Sequence, residues 1–476
     1  MPSLPVRLDP TIHLGSGFDA IRGELDLPAA FPPVAQAEAE EAARRGPALE
    51  ATVDLRDVPF ITIDPPESTD LDQALAITRE GRGHLVRYAI ADVAAFVAPG
   101  GALDAEAQRR GVTVYLPDGK VPLHPPVLSE GAASLLPDGD RQALVWEVVL
   151  DGDGEPIDVR VRRATVRSRA KRSYAEAQRA LDEGTADEQL LLLREVGQRR
   201  EAREIERGGV SLPIPEQQVV EVDGRYRLEY RAPLPVEGWN AHLSLLTGIC
   251  AATLMLDGGI GVLRTLPPAP DDAVDVLRRH AGALGVTWAP GASYGDVIRS
   301  LDPAVAGHAA FLIQAVRLFR GAGYVAFDGT APVGDEARHA AVAAPYAHVT
   351  APLRRLVDRF ANEVVLSLCA GTEVPAWARD ALPTMPGAMG EATRRAGAGD
   401  AMARDVVEAA TLAGRIGTVV TGVVVKVHGG GAQIQIADPA VVADVADVAP
   451  ALGTEVRLRV VAADVVARKV TFELLA

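Results

Sequence analysis

Between Phe60 and Leu75 the chain reads FITIDPPESTDLDQAL, and no other stretch restricts its fold and chemistry so closely. Phe60–Asp64 has the apolar, β-branched character of a strand that stops at Asp64. Pro65-Pro66 and Ser68-Thr69 are turn formers, so the chain changes direction there. Asp70 and Asp72 then stand two residues apart, and in extended backbone they project to one face. The turn can bring Asp64 back beside them, which places three carboxylates in one pocket.

Three converging anions repel one another unless a cation sits among them. Hard oxygen ligands suit Mg²⁺ or Mn²⁺, ions that often take a substrate phosphate as a further ligand. Such a site can activate water and stabilise a leaving oxygen, so phosphodiester hydrolysis there needs no Ser or Cys nucleophile. The same residue types also build an ordinary solvated turn, and this segment alone leaves both readings open. The D-x-[DN]-x-[DN]-G spacing of a calcium loop is absent.

Other motifs narrow the field. No GxxxxGK[ST] loop occurs, so ATP is not an expected partner, and no HExxH zinc motif occurs. Gly321-Ala322-Gly323 follows a helical pattern and reads as a helix end, not as a dinucleotide loop. Cys250 and Cys369 lie in apolar, helix-like sequence, which excludes a disulfide framework and fits free thiols in a reducing compartment. The N-terminus lacks the charged and apolar regions of a signal peptide, and no uninterrupted apolar run suggests a membrane span. A soluble, cytoplasmic protein with no membrane partner is expected.

Periodicity gives an α+β chain in three parts. Residues 1–55 form a short helical module with one charged helix, Val34–Arg45, a module conceivably like a helix-turn-helix. Residues 56–410 form a large mixed domain. Strands are expected at Phe60–Asp64, Asp72–Thr78, Leu85–Val93, Trp146–Leu150, Ile157–Val166 and Tyr226–Tyr230. Helices are expected at Ser173–Arg207, His242–Leu256, Asp271–Leu284, Pro303–Gly321 and Pro352–Cys369. Residues 371–400 read as a Gly/Pro-rich loop leading into a helix that ends at Ala413. Residues 414–476 show four short strands, Val419–Val427, Ala432–Ile436, Glu455–Val461 and Lys469–Leu474, and suggest a small OB-fold barrel.

The charge balance is 48 Lys and Arg against 64 Asp and Glu, a net of −16. That argues against coating nucleic acid by bulk charge, but basic residues are locally grouped. Arg160–Arg172, RVRRATVRSRAKR, suits one wall of an RNA channel or a solvated strand edge. In HVTAPLRRLVD, Thr350 reads as an N-cap, with Arg354 and Arg355 in the first turn, where they would clamp a phosphate. Arg355 also suits a surface pair bonded to acidic loops. Tyr115, in VYLPDGK, suits base stacking or a core position.

Taken together, TIDPPESTDLDQAL, YAIADVAAFV, VYLPDGKVPLHPPVLSEGAASLLPDGDRQAL, ATVRSRAKRSYAEA and YAHVTAPLRRLVD resemble, in order, the motif blocks of the RNB exoribonucleases of the ribonuclease II and ribonuclease R type. The terminal barrel is similar to an S1 RNA-binding domain. The resemblance implies processive degradation of single-stranded RNA from a free 3′ end to nucleoside 5′-monophosphates, and a monomer is expected because one chain can enclose the whole channel. It implies two Mg²⁺ or Mn²⁺ ions on Asp64, Asp70 and Asp72, with Asp70, Asp72 and Arg354 in the chemistry. RNA contacts are implied for Tyr115, Arg169, His348, Thr350, Arg354 and Arg355. Three departures stand out. Gln73 occupies the family's fourth aspartate position, so one ion should be held weakly or through an amide oxygen. Ala241 and His242 stand where a Glu pair is usual, leaving Trp239, Asn240 and His242 as substitutes. Residues 1–55 are too short for the usual pair of cold-shock domains, so a narrower RNA clamp is expected. An RNA-binding protein on the same scaffold, with catalysis lost through Gln73, is the alternative.

Overall fold

The computed structural model describes residues 14–475 except 29, 213–215, 223–224, 232, 304, 437–440, 447 and 449. The first element, α1 (Leu14–Glu24), has no counterpart in the sequence reading, because its internal Gly15 and Gly17 weaken intrinsic helicity. Tertiary packing supplies what propensity lacks. Leu14, Phe18 and Ile21 form one buried stripe that packs with Val406, Val407 and Ala410. The charged helix α2 (Pro33–Arg45) buries Ala39 and Ala42 against Phe60, Leu71 and Phe96 instead. The two helices join different cores, so they do not form a helix-turn-helix unit.

Five strands close a barrel: β1 (Val53–Ile63), β2 (Gln73–Glu80), β3 (Gly83–Ala91), β6 (Asp140–Leu150) and β7 (Pro156–Arg172). Neighbours run antiparallel except β7, which returns to pair with β1 in parallel. Ile61, Leu75, Ile77, Tyr88, Ile90 and Trp146 belong to the main core. Between β3 and β6 lie α3 (Ala102–Arg110) and a hairpin of β4 (Val114–Leu116) and β5 (Gly119–Val121). The single helix expected over Ser173–Arg207 is two, α4 (Tyr174–Asp182) and α5 (Glu188–Glu206). Gly184 at φ +71° breaks it, and Ser173 and Asp187 cap the two starts.

A second hairpin, β8 (Glu216–Val222) and β9 (Arg225–Arg231), precedes the long helix α6 (Pro235–Gly258). By length and composition α6 could cross a membrane, but Leu243, Leu246, Cys250 and Met255 are buried in the main core, as in a core helix. Next come β10 (Ile260–Thr265), α7 (Asp271–Ala281), α8 (Tyr294–Arg299), α9 (Ala306–Ala315) and β11 (Gly323–Asp328), which pairs with β10. Then follow α10 (Leu356–Ala370), α11 (Ala376–Ala381) and α12 (Met385–Ala413). The expected loop over 371–400 is thus mostly helix. Met385, Met389, Ala392, Gly399, Ala403 and Val406 make a buried stripe at helical spacing, and this burial outweighs the low helix propensity of the glycines.

The terminal sheet has five strands, β12 (Val419–His428), β13 (Gly431–Ile436), β14 (Val441–Ala446), β15 (Glu455–Asp464) and β16 (Lys469–Leu475), in the order β14-β13-β12-β15-β16. Its edge strands β14 and β16 approach each other, which curls the sheet towards a barrel. The strand that the sequence reading omitted, β14, alternates buried Val441, Ala443 and Val445 with more exposed residues.

Candidate active site

A cavity of about 850 Å³ opens where the loop between β1 and β2, the β4–β5 hairpin, the start of α6 and the segment before α10 meet. Asp64, Asp70, Asp72, Gln73, Tyr115, Thr350, Arg354 and Arg355 all line it. The β1–β2 loop is pinned from beneath. Ser134 Oγ accepts the Leu71 N–H at 2.9 Å and donates to the Thr69 carbonyl at 2.7 Å. The Asp64 N–H still pairs with the Arg172 carbonyl at 3.1 Å. The turn expected from Pro65 to Thr69 therefore returns the chain as the sequence implies.

Each carboxylate has a different environment. Asp72 is buried; its Oδ1 accepts the Leu353 N–H at 2.8 Å and its Oδ2 lies 3.3 Å from Arg354 Nε. Burial pushes its pKa up to about 7, against the pull of Arg354 and the Leu353 N–H. Burial does the same to Asp64, also to about 7, opposed by Arg354 and Lys171 and helped by Asp70. Asp64 Oδ2 is a buried oxygen without a hydrogen-bond partner among the described residues. Asp70, by contrast, is occupied: Lys120 Nζ lies 2.7 Å from Oδ1, and the Tyr115 hydroxyl donates to Oδ2 at 3.3 Å. Tyr115 is half-exposed, so a core role is excluded.

The segment before α10 departs from expectation. The helix begins at Leu356, so Thr350 is not its N-cap and Arg354 and Arg355 are not in its first turn. Leu353 and Asp72 form the tie that holds this segment over the cavity. Arg354 is half-exposed at the cavity wall. Arg355 is locked by Asp358, with Nε to Oδ2 at 2.9 Å and Nη2 to Oδ1 at 2.8 Å, so it is ion-paired, but with a buried helix residue and not with an acidic surface loop. Gln73 donates its amide N–H to the Thr350 carbonyl, so it ties β2 to the arginine segment. His348 is not among the cavity-lining residues. Its Nδ1 meets the Tyr324 hydroxyl at 2.8 Å, and its ring packs edge-on against Tyr346, which does line the cavity. Burial, with Arg355 nearby, holds the His348 pKa well below the usual imidazole range, so it is neutral.

The basic strand is largely structural. Arg163 is buried between Asp92 and Glu363, Arg162 pairs with Glu147, and Arg167 pairs with Asp140. Arg169 donates to the Arg56 carbonyl at 2.6 Å and is not among the cavity-lining residues. Lys171 supports the site with its side chain, holding the Pro66 and Ser68 carbonyls at 2.6 Å each, and Arg172 does so through its carbonyl. On α6, Asn240 lines the cavity and donates to the Tyr174 hydroxyl at 3.3 Å. Trp239 packs on Gly197 of α5, and His242 lies 4.0 Å from Glu204. Glu237, one turn before the expected Glu pair, lines the cavity, as do Tyr174 and Tyr346. Sequence reasoning missed Lys120. The signal was the Pro117-Asp118-Gly119 turn, which sets Tyr115 opposite Lys120 in the hairpin.

Asp64 and Asp72 together fit a divalent cation. Both are hard carboxylates kept in a desolvated setting, and one oxygen is orphaned. Among the described residues, no three His, Cys, Asp or Glu side chains form a ready-made metal-binding group. A raised folded-state pKa means that these groups favour folding below the unfolded value near 4, and that this benefit is lost as pH rises through about 7. Thermal unfolding without divalent ions should therefore show a midpoint that falls between pH 5 and 8. Mn²⁺ should raise that midpoint more at pH 8 than at pH 5, because the ligands must be deprotonated. Scanning calorimetry at both pH values checks this; an equal Mn²⁺ effect at both would contradict the assignment.

With this geometry in place, comparison with known proteins identifies the class. Residues 52–369 match the RNB domain, and residues 418–475 match the C-terminal S1 domain of RNase II-type exonucleases. The chain belongs to the RNB family, as the ordered motifs implied. It is 31% identical over 333 residues to exosome complex exonuclease RRP44 homolog A of Arabidopsis thaliana, covering 66% of this chain and 35% of that protein. It is 27% identical over 352 residues to ribonuclease R of Vibrio cholerae, covering 68% and 41% respectively. The chain thus spans less than half the length of these curated relatives. The apo form of Mycoplasma genitalium RNase R shares its fold with a TM-score of 0.84 at 18% identity, covering 96% of this chain and 77% of that one. Yeast Ssd1, described as a pseudonuclease, gives a TM-score of 0.72 at 15% identity, covering 95% and 58%.

Proposed function

We propose that this chain is a 3′→5′ exoribonuclease that hydrolyses single-stranded RNA processively to nucleoside 5′-monophosphates. The observation that carries the reading is the meeting, in one cavity, of desolvated Asp64 and Asp72 with the half-exposed guanidinium of Arg354. Arg354 has N–H groups beyond its Nε contact with Asp72, and a guanidinium recognises phosphate oxygens well. Asp72, fixed by Leu353 and Arg354, holds its carboxylate on the reacting side. Tyr115 offers a ring beside Asp70 on which a terminal base can stack. Mg²⁺ or Mn²⁺ held by Asp64 and Asp72 would supply water activation and stabilisation of the leaving oxygen.

A second reading, RNA binding without hydrolysis, is favoured by Gln73, whose amide is engaged by Thr350 where the family motif has a carboxylate. Internally labelled single-stranded RNA with Mg²⁺ or Mn²⁺ separates the two. Release of nucleoside 5′-monophosphates supports the nuclease. Retention of RNA with no product supports the binding protein and overturns the first reading.

A further inference from the structure

We propose that the Lys120 ammonium is a built-in cation at Asp70, and that it limits the acidic cavity to one divalent ion, held by Asp64 and Asp72. The inference rests on the reading of this cavity as a metal-dependent phosphodiesterase site. Both Asp70 oxygens are engaged by one hairpin, Oδ1 by Lys120 at 2.7 Å and Oδ2 by Tyr115 at 3.3 Å. This follows from register, because Tyr115 and Lys120 are direct cross-strand partners and so project from the same face. On its other side Lys120 lies 3.1 Å from Glu130 Oε1, and Glu130 Oε2 accepts the Thr69 hydroxyl at 2.8 Å. The ammonium is thus seated between two carboxylates, as a bound cation would be.

The hairpin that carries it is anchored. Its turn is tied to α1 by Arg22 and Asp118 at 2.6 Å. Val114 and Val121 are buried with Leu27, and Gly399 of α12 brings that helix close against Val114 and Leu116. Lys120 is therefore not a wandering surface lysine. The opposite side of the site agrees. At position 73 stands a neutral amide turned to the Thr350 carbonyl, so no carboxylate there offers a seat for another ion. Asp64, with its orphaned Oδ2, and buried Asp72 keep the need for a cation.

Counting bound Mn²⁺ by electron paramagnetic resonance on the full chain tests the proposal without relying on activity. Wild type and Lys120→Arg should each bind one Mn²⁺ per chain, and Lys120→Met should bind two. Two ions in wild type, or one in Lys120→Met, would overturn it. Lys120→Gln, checked for folding by thermal unfolding, replaces the Met variant should that fail to fold. RNA hydrolysis measured on the same samples keeps the two ideas apart. An active wild type with two ions overturns this inference and leaves the nuclease standing, whereas no Mn²⁺ and no hydrolysis overturns both.

Discussion

Replacing Asp72 by Asn is expected to slow RNA hydrolysis by roughly 10³-fold or more while making the metal-free protein more stable at pH 8. The side chain keeps its shape, and its Oδ1 can still accept the Leu353 N–H. What disappears is a buried negative charge. Burial has moved that carboxyl from 3.8 to about 7, and three units at about 1.4 kcal/mol each set an upper bound of about 4 kcal/mol on the relief. Arg354 then loses its partner but remains half-exposed to water. Single-turnover hydrolysis and calorimetry measure the two effects. A loss of less than about tenfold would remove Asp72 from the chemistry, and a lower midpoint at pH 8 would contradict the burial argument.

The adjacent arginines should behave oppositely. Arg355→Met leaves Asp358, which is buried, without its two hydrogen bonds, and removing one partner of a buried pair costs about 3–5 kcal/mol. Asp358 also accepts the Ala351 N–H at 2.6 Å, so the whole segment over the cavity should loosen. Arg354→Met should change stability by under about 1 kcal/mol at pH 6, where Asp72 can take a proton. Its hydrolysis should nevertheless fall by roughly 10²-fold, from lost contact with phosphate. Denaturant unfolding with parallel rate measurements checks the pair. Equal destabilisation by both substitutions would erase the distinction.

The contrast shows what sequence can and cannot reveal. Asp64, Asp70 and Asp72 were legible because a strand, a Pro/Ser turn and an extended D-x-D pattern each follow from local rules, and the structure brings all three to one cavity. The roles of Arg354 and Arg355 were only partly separable: both line the cavity, and they differ in whether Asp358 locks the guanidinium or leaves it half-exposed beside Asp72, which the sequence shows only as the ion-pair alternative for Arg355. Lys120 was hidden for a similar reason, as its importance comes from hairpin register and from Asp70, fifty residues away in the chain. The basic run Arg160–Arg172 looked like a channel wall because its acidic partners are set by pairing with the preceding strand β6, which supplies Asp140 and Glu147, and by the distant Asp92 and Glu363. In the fold, strand periodicity placed the five strands β1, β2, β3, β6 and β7 but not their closure into a barrel, which depends on the long-range pairing of β7 with β1. Helix α1 and the first half of α12 escaped because glycine lowers propensity locally, whereas the buried stripes that stabilise them are completed only by packing, of α1 on the end of α12 and of Met385 and Met389 on the main core.

The central claim is that the cavity cleaves RNA from a free 3′ end. Incubation of the wild-type chain and Mn²⁺ with a 5′-labelled linear RNA, beside the same RNA closed into a circle, tests it most directly. The expected result is progressive shortening of the linear RNA from its 3′ end and an intact circle. Cleavage of the circle, or binding of the linear RNA without any shortening, would contradict it.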